Sequence, residues 1–167
     1  MSQNELLLPL LWLDDQVILP HMVLPVAVES DEARAAIAAA RQSNGLVLLV
    51  PKIEGRYARM GTVAHIEESG RLPDGRSASV LRGIERGILN SAASEGAGAL
   101  WMSVQPAPDP ALDDLPGKAS VLAKEYRAII ENLLEIRGAS AVAQMLRGLD
   151  HPGALADMSG YSPDLNV

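Results

Sequence analysis

The sequence predicts an α+β fold: a closed or nearly closed β-barrel with one covering helix, followed by a small helical subdomain. Three observations predict it. Short apolar runs separated by turn residues fill positions 1–105, the pattern of a meander that closes on itself. One stretch inside that region, Ser30 to Asn44, switches to helical spacing. After a Pro-rich connection over 106–117, the apolar period in 118–167 becomes alternating steps of four and three.

The elements follow in order. Leu6 to Leu13 is apolar at both alternating sets of positions, as suits a strand buried on both sides. Asp14-Asp15 ends it with turn chemistry. A second apolar stretch, Val17 to Leu19, leads into the loop Pro20-His21-Met22, and Val23 to Val28 makes another short strand. Ser30 can cap a helix whose first turn places Asp31 and Glu32 at the positive dipole end. Ala33, Ala36, Ile37 and Ala40 form its narrow apolar stripe, and Asn44-Gly45 closes it. Leu46 to Val50 is a buried strand. Strands are then expected at Gly61–Ile66, Ala78–Ile84, Gly87–Ala92 and Leu100–Val104, with turns over 71–76 and 95–98.

Pro106, Pro108, Pro110 and Pro116, interleaved with Asp109, Asp113 and Asp114, cannot continue a central strand. Beyond them Leu122, Tyr126, Ile129, Leu133 and Ile136 form a helical stripe, widened by Ile130 and Leu134. Gly138 stops this helix, and Ser140 can cap a second bearing Val142, Met145, Leu146 and Leu149. Asp150-His151-Pro152 reads as a cap followed by proline in a first turn, with Leu155 and Met158 as the apolar residues. No closing element follows the Ser-Pro turn near the end, so the reading expects a piece of a longer protein.

Composition removes several classes of function. The 167 residues hold 14 Lys and Arg against 21 Asp and Glu, a net charge of -7. Such a chain is not built as a whole to hold polyanions. With no Cys, disulfide frameworks and zinc-thiolate sites are excluded. There is no Phe and aromatics are 3%, so the core is aliphatic and stacking platforms for single-stranded nucleic acid are scarce. No apolar run approaches the roughly 20 residues of a membrane helix. The N-terminus carries Glu5 and no basic residue, unlike a signal peptide, so a cytoplasmic protein is expected.

Catalytic and metal patterns are equally thin. There is no G-x-S-x-G elbow, and His21, His65 and His151 have no metal-ligand spacing. Asp14-Asp15 and Asp113-Asp114 are adjacent carboxylates of the kind found in solvated turns. Gly70 to Ser77 has phosphate-loop spacing with Arg76 in place of Lys. That chemistry needs a following helix, whereas Ala78-Ser79-Val80-Leu81 is strand-like and Pro73 lacks an amide donor, so a hairpin is the better account. Arg56, Arg59, Arg71, Arg76, Arg82 and Arg86 make the one basic-leaning region, but Glu67, Glu68, Asp74 and Glu85 lie among them. Cross-strand pairing is the expected arrangement, with an RNA-binding module as the alternative. The remaining candidates are Trp12, His21, Met22, Met60 and Trp101, which together could accept varied apolar peptides because Met is flexible and polarizable. Trp101 alternates with Leu100, Met102 and Val104 and should face away from them.

Leu8-Pro9-Leu10-Leu11-Trp12-Leu13-Asp14-Asp15-Gln16-Val17-Ile18-Leu19-Pro20-His21-Met22 resembles the opening of the N-terminal domain of ATP-dependent Lon proteases, typically L-P-L-R-D-x-V-x-F-P-G-M. Gly61-Thr62-Val63-Ala64, Leu72-Pro73-Asp74-Gly75, Val80 to Arg86 and Asp150 to Asp157 resemble later motifs of that domain in the same order. The resemblance implies a PUA-like β-barrel followed by the start of a helical linker. It implies a non-catalytic unit that recognises unfolded or damaged clients and assembles with other protomers into a hexamer, while the composition disfavours membrane and nucleic-acid partners. Its parent would be an ATP-dependent Ser-Lys endopeptidase that degrades misfolded and regulatory proteins. ATP and magnesium would belong to that parent, with no cofactor in this segment. The chain departs from the family at His21, where glycine is usual and a positive φ is expected, at Leu19 and Trp12, and in the acidic run Glu29 to Glu32.

Overall fold

The computed structural model describes residues 5–14, 16–96 and 98–162. The chain divides into two compact units, the first ending at Pro108 and the second spanning Asp109–Ser162.

The first unit contains β1 (Leu6–Leu13), β2 (Val23–Ala27), α1 (Asp31–Gln42), β3 (Leu46–Ile53), β4 (Arg56–Tyr57), β5 (Met60–Arg71), β6 (Ser77–Gly96) and β7 (Ala99–Ala107). The strands join in the order β1-β7-β6-β5-β3-β4, and a parallel β1–β3 pairing closes five of them into a ring. This is the strand-rich barrel with a covering helix that the sequence predicts. β2 pairs with the first part of β6, whereas β7 pairs with its second part.

Two apolar cores explain why β1 and β3 carry no polar face. Leu8, Leu10, Leu48, Val50, Val63 and Val104 pack together, joined by Leu89, so this cluster draws on all five ring strands and fills the ring. The alternate positions Leu11, Leu13, Val47 and Leu49 pack outward with Ala36, Ile37 and Ala40 of α1. Strands buried on both sides read as continuous apolar runs. α1 begins where Ser30 Oγ accepts the Ala33 N–H (3.0 Å), and Gly45 closes it at φ 75 with its N–H donating to the Ala40 carbonyl (2.8 Å).

One expectation is corrected here. The strands expected at 78–84 and 87–92 are one 20-residue strand, β6. No turn forms at Glu85-Arg86; the chain bends instead at register shifts between Val63 and Ala64 and between Leu89 and Ala92. Its glycines permit close approach: a Cβ on Gly87 would lie 2.5 Å from Val104 Cγ1 inside the ring. The apolar stretch 17–19 is not a strand. Its backbone docks on Gly83, which faces the Leu19 carbonyl where a Cβ would collide. The His21 N–H donates to Gly83 O (3.0 Å), the Gly83 N–H to Met22 O (2.9 Å), and the buried Thr62 hydroxyl to Ile18 O (2.6 Å).

The second unit holds α2 (Gly117–Ile136), α3 (Ser140–Arg147) and α4 (Pro152–Asp157), with short 3-10 turns at Leu112–Asp114 and Met158–Tyr161. Gly138 adopts φ 71 after α2. His151 caps α4: its Nδ1 accepts the Gly153 N–H (3.0 Å). Nε2 therefore carries the proton and donates to Pro110 O (2.9 Å). Leu146, Leu155 and Met158 form the core of this unit, packed by Ala123, Tyr126, Ile130 and Leu134 of α2. The residues that merely widen the α2 stripe in the sequence are thus its packing face. Apart from Tyr126, the stripe itself stays open: Leu122, Ile129, Leu133 and Ile136 are exposed, and no described residue of α2 is buried. No helix among the described residues is long and apolar enough to cross a membrane.

Candidate functional site

The first unit presents its apolar surface on neighbouring strands. Ile53 on β3, Tyr57 on β4, Met60 on β5 and Ile88 on β6 are exposed by 46%, 48%, 44% and 37%. β4 pairs with β3, β3 with β5, and β5 with β6, so these side chains come from consecutive members of the sheet. Met60 and Ile88 lie directly opposite each other across the β5–β6 pair. Such cross-strand partners have Cβ atoms within about 5.5 Å and act as one patch. Neither points into the ring, because their neighbours Gly61 and Gly87 approach the ring core at Leu48.

Trp12 adjoins this zone. It is half-buried, packs against the ring core, and stacks on Tyr57 with ring centroids 3.8 Å apart and planes inclined by 34°. Lys52 Nζ sits 5.6 Å from the Tyr57 centroid, close enough for a cation–π contact. Aromatic faces and a flexible thioether make an adaptable apolar acceptor.

The other candidates fall elsewhere. Met22 is 1% exposed and belongs to the core beside α1, where its Sδ accepts the Leu19 N–H (3.3 Å). It packs the interior and presents no surface. His21 is exposed and adopts φ 67, the positive φ expected at this loop position. Trp101 is half-buried on β7 opposite Pro9; Leu100, Met102 and Val104 join the ring core, so Trp101 lies on the outer face. Met60 and Ile88 form a cross-strand pair on the outer face, whereas Trp12 and the unanticipated Tyr57 stack beside the ring core. Lys52 lies opposite Tyr57 and Ile53 opposite Arg56, so Ile53 and Tyr57 point to opposite faces of the β3–β4 pair. Nothing in the local sequence marks Ile88; only the β5–β6 register brings it to Met60.

Two arginines of the basic-leaning region, Arg76 and Arg82, are paired with carboxylates. Arg82 Nε donates to Glu67 Oε1 at 2.6 Å, and Arg76 pairs with Asp74 (2.7 Å) and Glu29 (3.7 Å). Glu67 is held below the usual carboxylate range by its hydrogen bond to Arg82. The hydrogen bond from the Arg76 backbone N–H, joined by its guanidinium, does the same for Asp74. These charges meet one another in solvent and do not gather into a polyanion face. His65 Nδ1 lies 3.4 Å from Glu67 Oε1. Among the described residues no three His, Asp or Glu side chains are arranged to hold a metal ion.

Comparison with known proteins gives this chain a family. Residues 7–165 match the model of the ATP-dependent protease La (LON) substrate-binding domain. The chain is 40% identical over 155 residues to a Lon protease of Mycolicibacterium smegmatis, covering 92% of this chain and 19% of that protein. It is 38% identical over 154 residues to one of Salinispora arenicola, again covering 92% and 19%. Its structure superposes on the N-terminal domain of the Mycobacterium avium complex Lon protease with a TM-score of 0.85 at 36% identity, covering 96% of this chain and 84% of that one. The Lon N-terminal domain protein of Xanthomonas campestris, 20% identical with a TM-score of 0.59, shares the fold; the match covers 95% of this chain and 99% of that one. The chain spans about a fifth of the length of the full Lon proteases it matches. It belongs to the LON substrate-binding domain family.

Proposed function

We propose that this chain is the client-recognition unit of an ATP-dependent Lon protease and that it binds exposed apolar segments of unfolded proteins. The supporting observation is the exposed cross-strand pair Met60 and Ile88, with Ile53 and Tyr57 also exposed on the neighbouring strands of an otherwise well-packed unit. Burying such side chains against a client yields about 25 cal/mol per Å² of apolar area, and Met60 can re-pack against different shapes. A folded client has already buried its apolar residues and offers little in return.

The chain also helps protomers assemble, through its second unit. The open stripe Leu122, Ile129, Leu133 and Ile136 on α2 offers another protomer an apolar helix face, and Leu122, Ile129 and Ile136 recur every seven residues. Proteolysis in the cytoplasm, with its ATP and magnesium, rests with parts of the parent outside this chain. Titration of the chain with one protein in unfolded and folded forms tests client recognition. Binding of the unfolded form at least ten-fold tighter is expected; equal or negligible binding of both contradicts the reading.

A further inference from the structure

A second groove in the first unit lies between α1 and the β5–β6 hairpin and has a volume of about 460 Å³. It shares no residue with the apolar group described above. One wall is a single helix face, Arg34, Ile37, Ala38 and Arg41, at the i, i+3, i+4, i+7 spacing. The other is one face of the hairpin: Ser69 pairs with Ser79, Arg71 with Ser77, and the Ser69 and Ser79 hydroxyls are 2.8 Å apart. Val28 and Ile37 add apolar surface.

The groove is basic on an acidic protein. Arg34 is engaged by Asp31 at 2.5 Å. Arg41 and Arg71 have no carboxylate partner among the described residues, and Arg71 donates only to the Gly75 carbonyl (3.2 Å). Both are exposed at the groove, so their guanidiniums are available for bidentate contact with carboxylates. The sheet is also open here. β5 pairs with β3 only as far as His65, and the other edge of residues 67–71 has no strand partner among the described residues. That edge offers backbone donors and acceptors to an added strand.

We propose that this groove docks an extended acidic segment of a protein partner by strand addition to β5, with carboxylates reaching Arg41 and Arg71 and aliphatic side chains, two positions away on the same strand face, meeting Ile37 and Val28. Nucleic acid fits less well. No aromatic side chain lines the groove, two unpaired guanidiniums neutralise few phosphates, and the net charge is -7.

The test is fluorescence anisotropy of the whole chain with a labelled eight-residue peptide repeating Glu-Ser-Val-Ser, which puts Glu and Val two positions apart on one strand face, against the same peptide with Lys for Glu. The acidic peptide should bind and weaken as salt rises, and the Lys peptide should not bind. The double variant Arg41→Glu/Arg71→Glu, with both sites exposed and its melting temperature checked, should lose at least ten-fold in affinity. Methylating alternate backbone nitrogens of the peptide should abolish binding. The variant Met60→Asp/Ile88→Asp should bind the acidic peptide unchanged, which separates this groove from the client surface. Equal binding by the charge-reversed variant, full binding of the methylated peptide, or binding of polyphosphate or RNA in place of the peptide would each overturn the proposal.

Discussion

Replacing Met22 with alanine is expected to destabilise the first unit by about 2–5 kcal/mol, the usual cost of truncating a buried long side chain. The side chain is 1% exposed within the core beneath α1, and its sulfur accepts the Leu19 N–H. The loop around it is held to β6 at Gly83 by one hydrogen bond from the His21 N–H and one to Met22 O. The truncation leaves a cavity and loosens the segment that covers the outer core. Urea unfolding followed by tryptophan fluorescence measures it, since both tryptophans, Trp12 and Trp101, report on this unit. A midpoint shifted downward with an unchanged slope is expected. A loss below about 0.5 kcal/mol, the range typical of surface substitutions, would place Met22 outside the core.

The double substitution Met60→Asp/Ile88→Asp is expected to reduce affinity for an unfolded client at least ten-fold while lowering the unfolding midpoint only modestly, since like charges directly opposite each other cost a strand pair about 1 kcal/mol. Both side chains are exposed, so their removal leaves no cavity. Two carboxylates directly opposite each other replace an apolar pair with a charged one. A client's apolar segment would then have to strip water from charges without compensation. The loss should be larger than that of either single substitution, because the pair forms one contact surface. Calorimetric titration of the wild type and the variant with the same unfolded protein measures it. Unchanged affinity would place client binding elsewhere on the chain.

Local chemistry made much of this fold legible in the sequence. Ser30, Gly45, Gly75 and Gly138 sit where cap and turn rules place them, with Gly45, Gly75 and Gly138 all at positive φ. The double-sided apolar runs of β1 and β3 announce strands buried on both faces. What escapes is what depends on partners distant in sequence. Gly87 reads as a strand start and Gly83 as an ordinary strand residue, yet each is a point of close approach inside one long strand, Gly83 to the Leu19 carbonyl and Gly87 to Val104. The α2 stripe shows the same limit. Its periodicity is plain, but only the packing of Leu146, Leu155 and Met158 decides that Ile130 and Leu134 face inward while Ile129 and Ile136 remain open.

The site was less legible than the fold. Trp12 and Met60 stand out by residue type, and Met22 does so equally although it is buried. Amino-acid chemistry alone cannot distinguish a methionine that fills a core from one that lines a surface. Tyr57 and Ile88 join the site through ring stacking and strand register, neither of which leaves a local signature.

Hydrogen–deuterium exchange of the chain with and without a saturating unfolded protein examines the recognition surface directly. Added protection is expected at residues 53–60 and 86–90, where Ile53, Tyr57, Met60 and Ile88 reside, with little change in the ring interior at Leu48 and Val104. Protection confined to other segments, or none at saturation, would contradict recognition through this face.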